Sequence, residues 1–148
     1  MLQPAIQILE SHRMMAISTV RPDGWPQTTM VGYANQGWII YFLIFRDSQK
    51  LANINQNDRV SIAVSAEASS LGEIKAVYAG AHASEAKDPA EREVAWKLLS
   101  ERHPSLGDFG PPDASKTALM RADCKYISLL DYSQGIGHTE ALVVDGEL

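Results

Sequence analysis

The sequence is poor in several things whose absence narrows what it does. It has one cysteine, Cys124, which can close no intramolecular disulfide and has no partner at CxxC spacing, so a disulfide scaffold and a thiol redox motif are both excluded. No apolar run approaches the roughly 20 residues that span a bilayer as a helix, and the opening MLQPAIQILESHRMM lacks the cationic stretch and apolar run of a secretory signal. There is no block of Lys and Arg. With a formal net charge of −5, the chain would meet the phosphate backbone of DNA or RNA with long-range repulsion. The four histidines, His12, His82, His103 and His138, are far apart and none has an HExxH-like neighbour, so no metal motif is present. GxSxG, P-loop and GxGxxG patterns are missing too, which removes esterase, ATPase and dinucleotide-fold readings; Gly135-x-Gly137 is too short and opens no predicted helix. These exclusions point to a cytoplasmic protein that handles small molecules rather than nucleic acid or membrane.

What is present is ordinary in composition and strongly patterned. At 148 residues, 45% hydrophobic and 21% charged, the chain suits one domain, 1–148, able to bury roughly 68–70% of its unfolded surface. A short lead helix is predicted over residues 4–12 and a strand over 14–20, where RPDG reverses the chain. WPQTTMVGYA alternates as a second strand, and Asn35-Gln36-Gly37 turns into a third, Trp38 to Phe45, which is apolar at every position. Such a strand is expected to be covered on both faces.

Asp47 or Ser48 then caps a short helix with Leu51 and Ile54 on one side, and RVSIAVSA follows as a fourth strand. A long strand around Gly80, a possible bulge, leads to a helix from Asp88-Pro89 to about His103, with Val94, Leu98 and Trp96 expected as its apolar stripe. HPSLGDFGPPDASKT reads as a connecting loop, MRADCKYISLLDY as a last strand that closes the sheet, and Ala141 to Val144 as a short apolar patch after a Gly-rich turn. Cys124, inside that last strand, is expected to be a buried, inert thiol.

The start of the helix after the third strand carries the most chemistry. A helix N-terminus presents unpaired N–H groups and a partial positive charge, and here it coincides with the Ser48 hydroxyl, the Lys50 ammonium and the Arg46 fork. That combination suits a phosphate. The plainer reading is a capped helix with a solvated lysine. Thr28 and Thr29 are likewise either ordinary strand residues or donors to a ligand beside the strand, and His138 either a tail histidine or one brought close to a ligand by Gly135 and Gly137.

Taken in order, Asp23-Gly24, Trp25-Pro26, Ser48-x-Lys50, Asn53 and Asp58-Arg59-Val60 resemble the leading half of the pyridoxamine 5'-phosphate oxidase-like proteins, the FMN-binding split barrels. Asp131-Tyr132-Ser133-x-Gly135-x-Gly137-His138 also resembles an ending seen in some of them. The resemblance implies a mainly β (α+β) fold, a six-stranded split β-barrel with flanking helices. It further implies a homodimer with FMN in clefts at the subunit interface. It would place Thr28, Thr29, Met30 and Val31 beside the flavin ring, Leu43 and Ile44 along the cofactor, and Arg46, Ser48, Gln49 and Lys50 at its phosphate; His138 would be near flavin or substrate. The apolar strand Trp38 to Phe45 is a second ground for expecting the dimer.

The vitamin B6 oxidases proper carry an Arg and a Lys where this sequence has Thr28 and Tyr33, and their closing Trp and Arg-x-His segment has no counterpart after Asp131. The flavin is therefore expected and vitamin B6 oxidation is not. The expectation is an FMN-dependent oxidoreductase acting on a small substrate. Its alternatives are a flavin-binding or sensor module without turnover, and a reductase that uses the deazaflavin F420.

Overall fold

The computed structural model describes residues 2–144; Met1 and residues 145–148 of the expected domain lie outside them. Helix α1 (Gln3–Ser11) leads into strand β1 (Met14–Val20), which reverses through Gly24 into β2 (Pro26–Gln36). The Asp23 carboxylate accepts from Trp25 N–H and Arg21, which fixes the reversal. Gly37, at φ 58, turns β2 into β3 (Ile39–Phe45), a left-handed conformation that suits glycine. Helix α2 (Gln49–Gln56), β4 (Arg59–Ser65), β5 (Lys75–Glu85), α3 (Pro89–Arg102), a short α4 (Pro104–Gly107), β6 (Thr117–Asp131) and β7 (Thr139–Val143) complete the order.

The strands run antiparallel in the order β3-β2-β1-β4-β5-β6-β7, and β3 also pairs with β6, closing a six-stranded barrel with β7 added outside it. This is the split-barrel α+β fold. Strand β6 serves two neighbours along one edge: residues 117–123 pair with β3, and residues 126–130 pair with β7. Where it changes partner, Gly80 pairs with Tyr126 and Ala81 with Cys124, so Lys125 is the extra residue of a bulge. The bulge therefore inserts its residue opposite Gly80 rather than in β5. It resets the side-chain alternation, so Ala122 and Cys124 before it and Ile127 and Leu129 after it all enter the core. The segment after Gly137, expected only as an apolar patch, is the strand β7.

The barrel interior is filled by Met15, Ile17, Tyr33, Phe42, Ile62 and their neighbours. Helix α1 adds Ala5 and Leu9 to this core and α2 adds Leu51 and Ile54. Cys124 is fully buried, and its thiol is pushed up to about 12 by that burial and by nearby Asp123, so it is inert.

Both faces of β3 are covered up to its last residue, Phe45, which is exposed. Ile40, Phe42 and Ile44 point inward, while Tyr41 packs outward against Ala95 and Leu99 of α3. The buried stripe of α3 is Ala95 and Leu99, with half-buried Leu98 packed against it as expected; Val94, also expected there, stays exposed, and small Ala95 lets the helix approach the sheet. Because the cover comes from the same chain, the apolar run of β3 gives no ground for a dimer. Glu91 fastens α3 by accepting from Tyr41 Oη and Arg121 Nε, both at 2.9 Å.

Elsewhere the outer barrel face is bare. Met30, Ala16, Ala63, Tyr78, Ser128 and Ala141 form one continuous cross-strand row, and the adjoining row from Thr28 through Ser18, Ser61 and Gly80 to Tyr126 also lacks charge.

Candidate functional site

The split in the barrel lies between β2 and β3. Their pairing stops at Tyr33 and Phe42, so residues 26–32 of β2 remain bonded only to β1 and residues 43–45 of β3 only to β6. A cleft of about 250 Å³ opens at the fork beside Val31, Gly32 and Leu43, closed behind by Leu99, His103 and Leu106. Met30, beside Val31 on β2, and Phe45, at the end of β3, are 62% and 69% exposed.

The chain that leaves β3 passes directly into the N-terminus of α2. Ser48 caps it, its Oγ accepting from Leu51 N–H at 3.2 Å. The N–H groups of Gln49 and Lys50 lie in the first turn, where helical geometry gives them no intrahelical acceptor. The helix is pinned from beneath by Asn53, which is fully buried: its Nδ2 donates to Thr19 Oγ1 and to Gln27 Oε1, both at 2.9 Å, and its Oδ1 accepts from Gln49 Nε2 at 2.8 Å. One amide thus fixes the helix to the free ends of β1 and β2.

Two cations at this corner differ in how they are held. The Arg46 guanidinium donates to both carboxylate oxygens of Glu85, at 2.9 and 2.8 Å, and its Nε donates to the Ala114 carbonyl. Glu85 is drawn below the usual carboxylate range, chiefly by this hydrogen bonding. Lys50 is half-buried and forms no hydrogen bond or ion pair among the described residues; burial alone pulls its pKa down. Lys50 thus has no counter-ion among the described residues, whereas the Arg46 fork has Glu85.

The residues of β2 alternate between faces. Thr28 and Met30 point outward, Thr28 sharing a 2.7 Å hydrogen bond with Ser18. Thr29 and Val31 share the inward parity of buried Tyr33, and the Thr29 Oγ1 is buried without a partner. Tyr33 itself donates to the Leu9 carbonyl at 2.6 Å, and burial pushes its phenol up to about 12; it is a core residue with no path to a ligand.

Of the expected cofactor residues, Val31 and Leu43 line the fork cleft, Thr28, Thr29 and Met30 lie on the free part of β2, Ile44 is buried, and Ser48, Gln49 and Lys50 stand at the start of α2, while Arg46 is paired with Glu85. His138 does not join them. It adjoins Asp131, which pairs with Lys75 at the start of β5, while Arg46 is bonded to Glu85 at the end of that strand, roughly 30 Å away along it. Its Nε2 is buried without a hydrogen bond, 3.6 Å from Glu140. Glu85, which occupies the Arg46 fork, was not legible as a site residue, since 39 residues separate the pair.

A closed barrel forked between two strands, with a helix-capped cationic corner after the fork, defines a split-barrel protein. Residues 2–131 match the family model described as pyridoxamine 5'-phosphate oxidase, and the chain belongs to that family. Solved structures share the fold at low identity. A heme-binding protein from Mycobacterium smegmatis matches with TM-score 0.80 at 16% identity, over 94% of this chain and 56% of its own length, so this chain spans little more than half of it. A conserved hypothetical protein from Mycobacterium tuberculosis matches with TM-score 0.76 at 20% identity, over 95% of this chain and 91% of that one. An FAD-binding protein from Mesorhizobium loti matches with TM-score 0.70 at 18% identity, over 87% and 93%. No curated protein matches in sequence. Among the described residues no group of His, Cys, Asp and Glu is placed to hold a metal ion, and no helix is long and apolar enough to cross a membrane.

Proposed function

We propose that the protein is a cytoplasmic FMN-binding oxidoreductase acting on a small molecule, with the FMN phosphate on the α2 corner and the flavin ring along the free part of β2. The observation that carries this reading is Lys50: an uncompensated, half-buried ammonium beside a helix N-terminus at the mouth of the split. Lys50, the Ser48 hydroxyl and the open N–H groups of Gln49 and Lys50 would hold the phosphate. The buried, unpartnered Thr29 Oγ1 and the outward Thr28 are the polar groups nearest the ring's path. FMN, when bound, supplies two-electron transfer; the chain supplies position, dryness and hydrogen bonds.

The dimer is part of the proposal. An uncharged outer face of small side chains with Met30 and two tyrosines suits a second copy of itself. Since His138 lies at the far end of β5 from Lys50, any part it takes at a cofactor is at the partner's site.

The absorption spectrum of the purified protein tests the reading. Flavin bands that bleach on addition of NADH or NADPH are expected. Flavin bands that neither NADH nor NADPH bleaches would favour a binding or sensor module, and a protein that takes up F420 but not FMN would replace the cofactor. A heme spectrum would overturn the flavin reading altogether.

A further inference from the structure

Next to the fork cleft, with which it shares Leu43 and Leu106, the outer face of Leu43 and Phe45, the Trp96 side of α3 and the loop 106–117 enclose a groove of about 660 Å³. We propose that this groove binds a flat aromatic ligand with a positively charged edge. Three aromatic side chains, Phe45, Trp96 and Phe109, line it, and two of them are strongly exposed: Phe45 at 69% and Phe109 at 85%. A large apolar side chain left in water forgoes the gain of burial, so two such rings on one groove mark a surface that gains by being covered. The volume falls within the roughly 300–1,000 Å³ typical of small-molecule clefts, and the lining is apolar with a single charge.

That charge sets the sign of the ligand. Asp113 lies on the groove, and its Oδ1 accepts from both the N–H and the hydroxyl of Ser115, which holds the carboxyl below its usual range and keeps it ionised. No Lys or Arg lines the groove to neutralise it. Aromatic faces attract cations through their quadrupole, so the rings and the carboxylate act in the same direction. The roof is tied down as well: Arg46, held by Glu85, donates to the carbonyl of Ala114, next to Asp113. Leu43 and Leu106 line both the groove and the fork cleft, so its ligand would adjoin the proposed flavin. That the ligand is the flavin's substrate rests on the function proposed above; that the groove binds it does not.

Calorimetric titration with three probes of one shape tests the proposal: N-methylquinolinium (cation), quinoline (neutral at neutral pH) and 2-naphthoate (anion). The cation is expected to bind about five- to tenfold more tightly than quinoline, and the anion least. Asp113→Asn, which keeps an acceptor for Ser115, should bring cation and neutral probe within about twofold. Phe109→Ala, at a residue too exposed to matter for folding, should weaken all three. Absence of binding by every probe, tightest binding of the anion, or Phe109→Ala affinities equal to wild type would overturn it. So would Phe109→Ala turning a dimer into a monomer, because the groove would then be an interface. Flavin absorbance read on the same samples separates the two claims: a colourless protein that binds the cation sinks only the flavin reading, and a yellow one that binds no probe sinks only this one.

Discussion

Arg46 and Glu85 face each other through two parallel hydrogen bonds, at 2.9 and 2.8 Å, joining the exit of β3 to the end of β5. The pair is 39 residues apart in the chain, yet it sets the corner on which the proposed site depends. It takes the Arg46 fork out of anion binding and, through Ala114, holds the segment that leads into β6.

Glu85→Gln should lower the melting temperature at neutral pH. Because the folded-state pKa of Glu85 is depressed, its contribution is fully present above the ordinary Glu value of about 4.3 and is lost as pH falls through the folded value. The gap between wild type and variant should therefore close in acid, as thermal melts across that range would show. A gap that persists unchanged in acid would mean that the ion pair is not its source.

Lys50 should behave in the opposite sense. Its depressed pKa makes the charged form a burden on the folded cofactor-free protein, one that is present below the folded pKa and disappears as pH rises past the ordinary Lys value of about 10.4. Lys50→Met should leave the cofactor-free protein at least as stable as wild type in urea unfolding at neutral pH, with the difference vanishing at high pH. A clear loss of stability would show that Lys50 has a structural partner.

Asn53→Ala should lower stability by roughly 2–3 kcal/mol, because it strips partners from the buried Thr19 hydroxyl and the Gln27 amide and unpins α2. The urea midpoint measures this. A drop below about 0.5 kcal/mol would mean that water replaces the amide without strain.

The order of elements was legible because each strand through β3 ends in a turn with its own chemistry: Asp23-Gly24, then Asn35 to Gly37, then the Ser48 cap. The apolar run of β3 correctly signalled cover on both sides, though not that α3 of the same chain supplies it. Helix α3 misleads at one position, since Val94 outranks Ala95 in hydrophobicity while the sheet selects the smaller residue for close approach. Gly80 drew attention to the bulge, but the inserted residue is Lys125, across the ladder. At the site, the capped helix and Lys50 could be read from local spacing. The Glu85 partner of Arg46, the distance of His138 and the groove around Phe109 depend on long-range contacts that no local pattern encodes.

Ala63→Arg, in the middle of the uncharged outer face, should convert the proposed dimer to a species with a light-scattering mass near the single-chain 16.2 kDa, without unfolding it. A wild-type mass already near that value would contradict the dimer.

The most direct measurement compares FMN with riboflavin, the same flavin without its phosphate, in titrations of the cofactor-free wild type and Lys50→Ala. A charge-assisted phosphate contact at Lys50 is worth about 1.5–3 kcal/mol, so wild type should prefer FMN by at least about tenfold and Lys50→Ala should lose most of that preference while binding riboflavin as before. Equal affinity of wild type for the two flavins, or an FMN preference that survives in Lys50→Ala, would contradict the assignment of the α2 corner as the phosphate anchor.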